Sequence, residues 1–101
     1  NKNINNKKII KIKYSQNAVY HQYVVLTKNR RKLMKYLVNN NIDCGIHYPA
    51  PIHKLSCFSK TFKNESYPNA EYIARSCLSL PIDPNLNLNN IKKICKLINK
   101  Y

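Results

Sequence analysis

Hydrophobic positions along the chain switch between two periods, and the switches lay out its elements. From Leu88 onward, Ile91, Ile94, Cys95 and Ile98 share one helical face while Lys92, Lys93, Lys96 and Lys100 take the other. This predicts an amphipathic closing helix capped by Asn87. The same spacing sets Leu33, Met34, Leu37 and Val38 against Arg30, Arg31, Lys32 and Lys35. A helix to about Asn39 is expected there, capped by Asn29 and ended by Asn39-Asn40-Asn41. Ser66-Tyr67-Pro68 puts proline at an early helical position, with Ala70, Ile73, Ala74 and Cys77 on one face of a helix ending near Leu78.

Between these lie stretches of β-branched and aromatic residues. Ile9 to Tyr14 and Val19 to Leu26 read as strands, the second carrying Val19, Tyr20, Tyr23, Val24, Val25 and Leu26. His21 falls inside that strand, where a structural role is expected. Ile42 to Ile46 predicts a short strand, and Leu78 to Ile82 a short extended piece stopped by Pro81 and Pro84. The order strand, strand, helix, strand, helix, strand, helix predicts an α+β fold, a small sheet with helices packed on one face.

At 101 residues the chain is long enough for one domain and too short for two cores. The first residue is Asn1, and residues 1–7 form a low-complexity basic lead-in ahead of a domain spanning 8–101. The expectation is a fragment of a longer chain. No run of about 18 apolar residues occurs, so no membrane partner is expected and a soluble, cytoplasmic setting is. Cys44, Cys57, Cys77 and Cys95 form no CxxC pair, and buried free thiols are the favoured reading for Cys77 and Cys95.

Lys and Arg number 18 against four acids, a formal charge of +14. Such a balance raises nucleic acid as a partner. The excess is nearly all lysine, however, spread along the chain and accompanied by heavy Asn and Ile usage, which points to compositional bias and a solvated surface.

The densest chemistry lies in Gly45-Ile46-His47-Tyr48-Pro49-Ala50-Pro51-Ile52-His53. Each proline fixes its own φ and pushes its predecessor toward extended geometry, so the segment orders at low entropic cost. His47, Tyr48 and His53 are the candidate ligand-binding residues, since imidazole and phenol both donate to anionic or hydroxyl oxygens. The bland alternative is that the histidines satisfy backbone groups of the loop. Cys44, His47, His53 and Cys57 place four metal-capable groups in a short span, but C-x2-H-x5-H-x3-C is not a structural zinc spacing, and no metal is expected. No GxGxxG, P-loop, HExxH or GxSxG occurs, and no catalytic residue is nominated. Asp43, Glu65, Glu71 and Asp83 are scattered, and Glu71 reads as a solvated helix residue.

From about Tyr20 to its end the chain resembles the C-terminal part of the DegT/DnrJ-type nucleotide-sugar aminotransferases. The anchors are Tyr20 to Val25, Arg30 to Leu37, Gly45 to His53, Tyr67-Pro68-Asn69-Ala70-Glu71, and Leu78-Ser79-Leu80-Pro81-Ile82-Asp83-Pro84. The sequence departs from the family at Asn40-Asn41, where glycine is common, and in the compressed stretch from Phe58 to Tyr67.

The resemblance implies the small domain that closes over an active site whose Schiff-base lysine and pyridoxal phosphate contacts belong mainly to a large N-terminal domain. It implies that His47, Tyr48 and His53 position a nucleotide-linked keto-sugar, that an amino acid donates the amino group, and that the parent is a homodimer. By itself the chain is expected to be inactive. Two other readings compete: a basic nucleic-acid-binding module, and a non-catalytic remnant that folds poorly.

Overall fold

A computed structural model describes residues 3–13 and 15–101. Its sheet has three antiparallel strands in the order β1 (Ile10–Lys11), β2 (Tyr23–Leu26), β3 (Cys77–Leu80). Three helices accompany them: α1 (Arg30–Val38), α2 (Pro68–Ser76) and α3 (Leu88–Lys100). Two 3-10 turns accompany the proline segment, Ile52–Lys54 at its end and Ser56–Phe58 after it.

Register decides which face of the sheet is dry. Val25 pairs with Leu78 and Tyr23 with Leu80, so these four side chains share one face, and Val24, Leu26, Cys77 and Ser79 share the other. On the first face Val25, Leu78 and Leu80 pack with Leu33 and Leu37 of α1, Ile94 and Ile98 of α3, and Ile42. Full burial of one such side chain contributes roughly 1.5–3 kcal/mol. Helix α2 supplies none of these core residues; it meets β2 and is tied to the proline segment through Glu71. Residues set apart in the sequence as a lead-in also join the core. Ile4 is buried there, the Asn6 side chain donates from Nδ2 to the Ile98 carbonyl, and the Asn99 side chain donates from Nδ2 to the Asn3 carbonyl.

The three helices form where the periodicity places them. Asn87 accepts at Oδ1 from the Asn90 amide, as expected of a cap. Asn29 does not act this way: its side chain makes no capping bond, and its amide instead donates to Thr27 Oγ1. At the other end of α1, Asn41 takes φ 58°, and the Asn41 and Ile42 amides reach back to the Val38 and Leu37 carbonyls. That is a Schellman ending, with asparagine in the left-handed position that glycine usually holds and Ile42 buried against the core.

The strands are shorter than their sequence suggests. Tyr14, the expected end of the first strand, lies outside the described residues, and pairing covers only Ile10 and Lys11. In the second, Tyr20 adopts φ 45° and Val19 is 96% exposed, so β2 begins at Tyr23 and His21 sits in a bend before it. The cause is local: the Ser15 amide donates to the Tyr20 hydroxyl, which itself donates to the Ser15 carbonyl, closing a turn that interrupts the extended run. The expected strand from Ile42 to Ile46 reduces to one bridge, with Gly45 and Ser79 exchanging amide hydrogen bonds of 3.1 and 2.8 Å. Cys77 belongs to β3 rather than α2. The Thr27 amide takes the Ser76 carbonyl and Leu26 pairs with Cys77, so the chain passes from helix to sheet without a linker.

Candidate functional site

The other face of the sheet, where Ser79 stands as the polar residue beside Val24, Leu26 and Cys77, carries the proline segment. The Gly45–Ser79 bridge pins its start, and the His47 ring folds back so closely that a Cβ on Gly45 would lie 2.6 Å from His47 Cε1. Glycine is favoured here by contact rather than by backbone angle, since any side chain would displace the His47 ring. His47 Nδ1 lies 3.0 Å from Ser79 Oγ, a residue that is itself buried. This contact orients the ring and leaves Nε2 for a ligand. Tyr48 follows with its ring edge-on to His47 at 5.6 Å and its side chain 71% exposed. The Cys77 thiol donates to the Tyr48 carbonyl at 3.8 Å, a second tie between segment and sheet.

His53 is held differently. It is buried in the first 3-10 turn, donates from Nε2 to Glu71 Oε1 at 3.1 Å, and sets its ring 4.8 Å from that of Tyr67. The same carboxylate oxygen accepts from the Tyr67 amide and the Ser66 hydroxyl. The His53 hydrogen bond, then that of the Tyr67 amide, holds Glu71 below the ordinary glutamate pKa. Glu71 is therefore no idle solvated residue, because it ties α2 to the proline segment. Tyr67 also hydrogen-bonds Glu65, which raises its phenol above the usual tyrosine range.

These residues divide between two cavities. One, of about 670 Å³, is lined by His21, Asp43, Cys44, His47, Tyr48 and Ser79 among others. The second, about 500 Å³, is walled by Pro51, Ile52, His53, Phe62 and Tyr67, again with Tyr48. Tyr48 is the ridge common to both. His47 and Tyr48 thus meet on a polar cleft, while His53 lies in the aromatic one with Nε2 already engaged.

The first cleft can hydrogen-bond hydroxyl or anionic oxygens through His47 and Tyr48, and Ser79 and Asp43 can accept. Burial, with the Asp43 charge adding to it, raises the Cys44 thiol, which disfavours a reactive thiolate. Sequence reasoning assigned His21 to a strand and passed over Ser79. The available signal was Ser79 standing alone between Leu78 and Leu80, a polar residue on the opposite face of a dry strand.

Among the described residues, no three His, Cys, Asp or Glu side chains converge as a metal ion would require. His53 is committed to Glu71, and Cys57 is exposed. No helix among the described residues is long and apolar enough to cross a membrane.

The model of the DegT/DnrJ/EryC1/StrS aminotransferase family matches residues 2–99. The chain belongs to that family. The match reaches well before Tyr20 and takes in the segment that delivers Ile4 to the core. Among curated relatives, the dTDP-3-amino-3,6-dideoxy-alpha-D-galactopyranose transaminase of Aneurinibacillus thermoaerophilus is 36% identical over 82% of this chain and 23% of its own length. The dTDP-3-amino-3,4,6-trideoxy-alpha-D-glucose transaminase of Streptomyces venezuelae is 33% identical over 82% of this chain and 22% of its own. The crystal structure of S. venezuelae DesV in complex with a ketimine intermediate superposes with a TM-score of 0.84 at 29% identity, over 92% of this chain and 26% of that one. The chain therefore spans about a quarter of the length of the family members it matches.

The family name implies pyridoxal phosphate in general. Every described lysine is solvent-exposed, so none among the described residues is a sheltered amine suited to hold the cofactor's aldehyde. What the chain contributes is a rigid, hydrogen-bonded segment beside a polar cleft.

Proposed function

We propose that this chain is the small C-terminal part of a nucleotide-sugar aminotransferase, and that residues 45–53 form the wall of its substrate site. The parent enzyme transfers an amino group from an amino-acid donor to a keto-sugar carried on a nucleoside diphosphate. The amino transfer is chemistry supplied by pyridoxal phosphate, held mainly by a domain outside this sequence, and the chain alone does not transaminate. In this reading His47 and Tyr48 contact the sugar or its diphosphate. His53 belongs to the same set and serves it chiefly by fixing the segment through Glu71.

One observation carries the reading: the His47 ring is locked by Ser79 beneath an exposed Tyr48, so both present polar atoms to one cleft at low ordering cost. The transaminase names of the relatives supply the substrate class. A homodimeric parent and a cytoplasmic location belong to the same proposal, the latter in keeping with four unpaired cysteines.

The coding sequence upstream of Asn1 tests it. An in-frame larger domain with a candidate Schiff-base lysine is expected. A stop codon close upstream, with no such domain encoded nearby, would leave a remnant or an independent module instead.

A further inference from the structure

The chain has 15 lysines and three arginines, and all three arginines line one cavity. Arg30 and Arg31 come from the first turn of α1 and Arg75 from the last turn of α2. With Lys28, Asn29 and Lys32 they surround about 370 Å³ of space, within the roughly 300–1,000 Å³ range of small-molecule sites. This cavity shares no lining residue with the two around Tyr48. A compositional drift toward lysine accounts for the general positive charge, but it does not gather every arginine at one place from two helices.

The cluster is also uncompensated. Among the described residues the one ion pair joins His53 and Glu71, so none of these five cations has a carboxylate partner. Helix α1 opens here without an acidic residue in its first turn and without a side-chain cap, so the positive end of its dipole adds to the field. Arg30 has a separate duty: its Nη1 donates to the Ala74 and Cys77 carbonyls, fastening α1 to the α2–β3 junction, and its buried Nε has no partner. Arg31 and Arg75 remain, contributed to the lining by two different helices as planar forks, with Lys28 and Lys32 adding point charges to the same cavity.

We propose that this cavity binds the diphosphate group of a small molecule, with Arg31 and Arg75 as bidentate donors. Guanidinium matches the geometry of phosphate oxygens where ammonium offers only charge. The assignment is independent of the aminotransferase reading and stands or falls without it.

Calorimetric titration of inorganic pyrophosphate into the 101-residue chain tests the proposal. Saturable one-site binding is expected, weakened at least about tenfold (about 1.4 kcal/mol) by the charge-conserving pair R31K/R75K. The control pair K92Q/K93Q on α3, which lowers net charge elsewhere, should change it little. Equal weakening by the control pair, or no weakening by R31K/R75K, would overturn the site in favour of diffuse charge. So would a random DNA duplex that binds more tightly than pyrophosphate through the same arginines. Phenylglyoxal labelling of the unaltered chain gives an answer that does not depend on variant folding: pyrophosphate should protect Arg31 and Arg75, and undiminished labelling of both contradicts the proposal.

Discussion

The two sides of the sheet are built on opposite principles. Against one, Leu33, Leu37, Val25, Leu78, Leu80, Ile94 and Ile98 close a dry aliphatic core. Against the other, the segment from Gly45 to His53 is held by particular polar contacts: the Gly45–Ser79 bridge, His47 to Ser79, the Cys77 thiol to the Tyr48 carbonyl, and His53 to Glu71. Apolar packing is non-directional, so the first side stabilises the fold without fixing any reactive group. Hydrogen bonds are directional, so the second side places imidazole and phenol groups at the rim of a cleft while adding less stability. Scaffold and candidate site are thus separated by the alternation of a single strand, with Leu78 and Leu80 facing one way and Ser79 the other.

If that division holds, substitutions should grade in effect from core to rim. Leu78→Ala empties a fully buried position and should lower stability by about 2–5 kcal/mol in denaturant unfolding of the chain. Gly45→Ala forces the new Cβ against the His47 ring. It should lower stability by about 1–3 kcal/mol, as overpacking does, and shift the His47 ring resonances as the contact with Ser79 breaks.

Glu71→Gln should act mainly through pH. A carboxyl whose folded pKa is lowered adds stability above its unfolded value and loses it as pH falls through the folded one. The acid limb of the native chain's stability profile should therefore be steeper than that of the variant, whose side-chain amide does not titrate. Identical profiles would remove the His53–Glu71 tie from the account. Asn41→Gly relieves the left-handed backbone at the end of α1 and should raise stability by about 0.5–1 kcal/mol. Tyr48→Phe, at an exposed ring, should leave stability within about 0.5 kcal/mol while impairing sugar-nucleotide binding.

The dry side was largely legible in the sequence, because helical periodicity reports burial directly. Leu33 and Leu37 of α1, Ile94 and Ile98 of α3, the Asn87 cap and the extended stretch at Leu78 were readable from spacing, whereas Val38 and Ile91, expected on the same faces, are exposed. Where local chemistry competed with pattern, reading failed. Tyr20 turns back on Ser15 instead of continuing a strand, Asn29 leaves capping aside, and Cys77 leaves its expected helix to pair with Leu26. The polar side was half legible. His47, Tyr48 and His53 stood out by their setting among prolines, whereas Ser79 joins His47 and Glu71 joins His53 through contacts 32 and 18 positions apart, and His21 meets His47 only across a shared cavity. No local spacing rule reports such contacts.

The central claim is that residues 45–53 present a nucleotide-sugar site on the polar side of the sheet. Amide and imidazole NMR spectra of the chain, titrated with a thymidine diphosphate sugar, test it most directly. The account predicts saturable shifts at His47, Tyr48, Ser79 and His21, reduced in Tyr48→Phe, with the resonances of α3 unmoved. Shifts confined to the helical side, or a segment from Gly45 to His53 that stays unperturbed at saturating ligand, would contradict it.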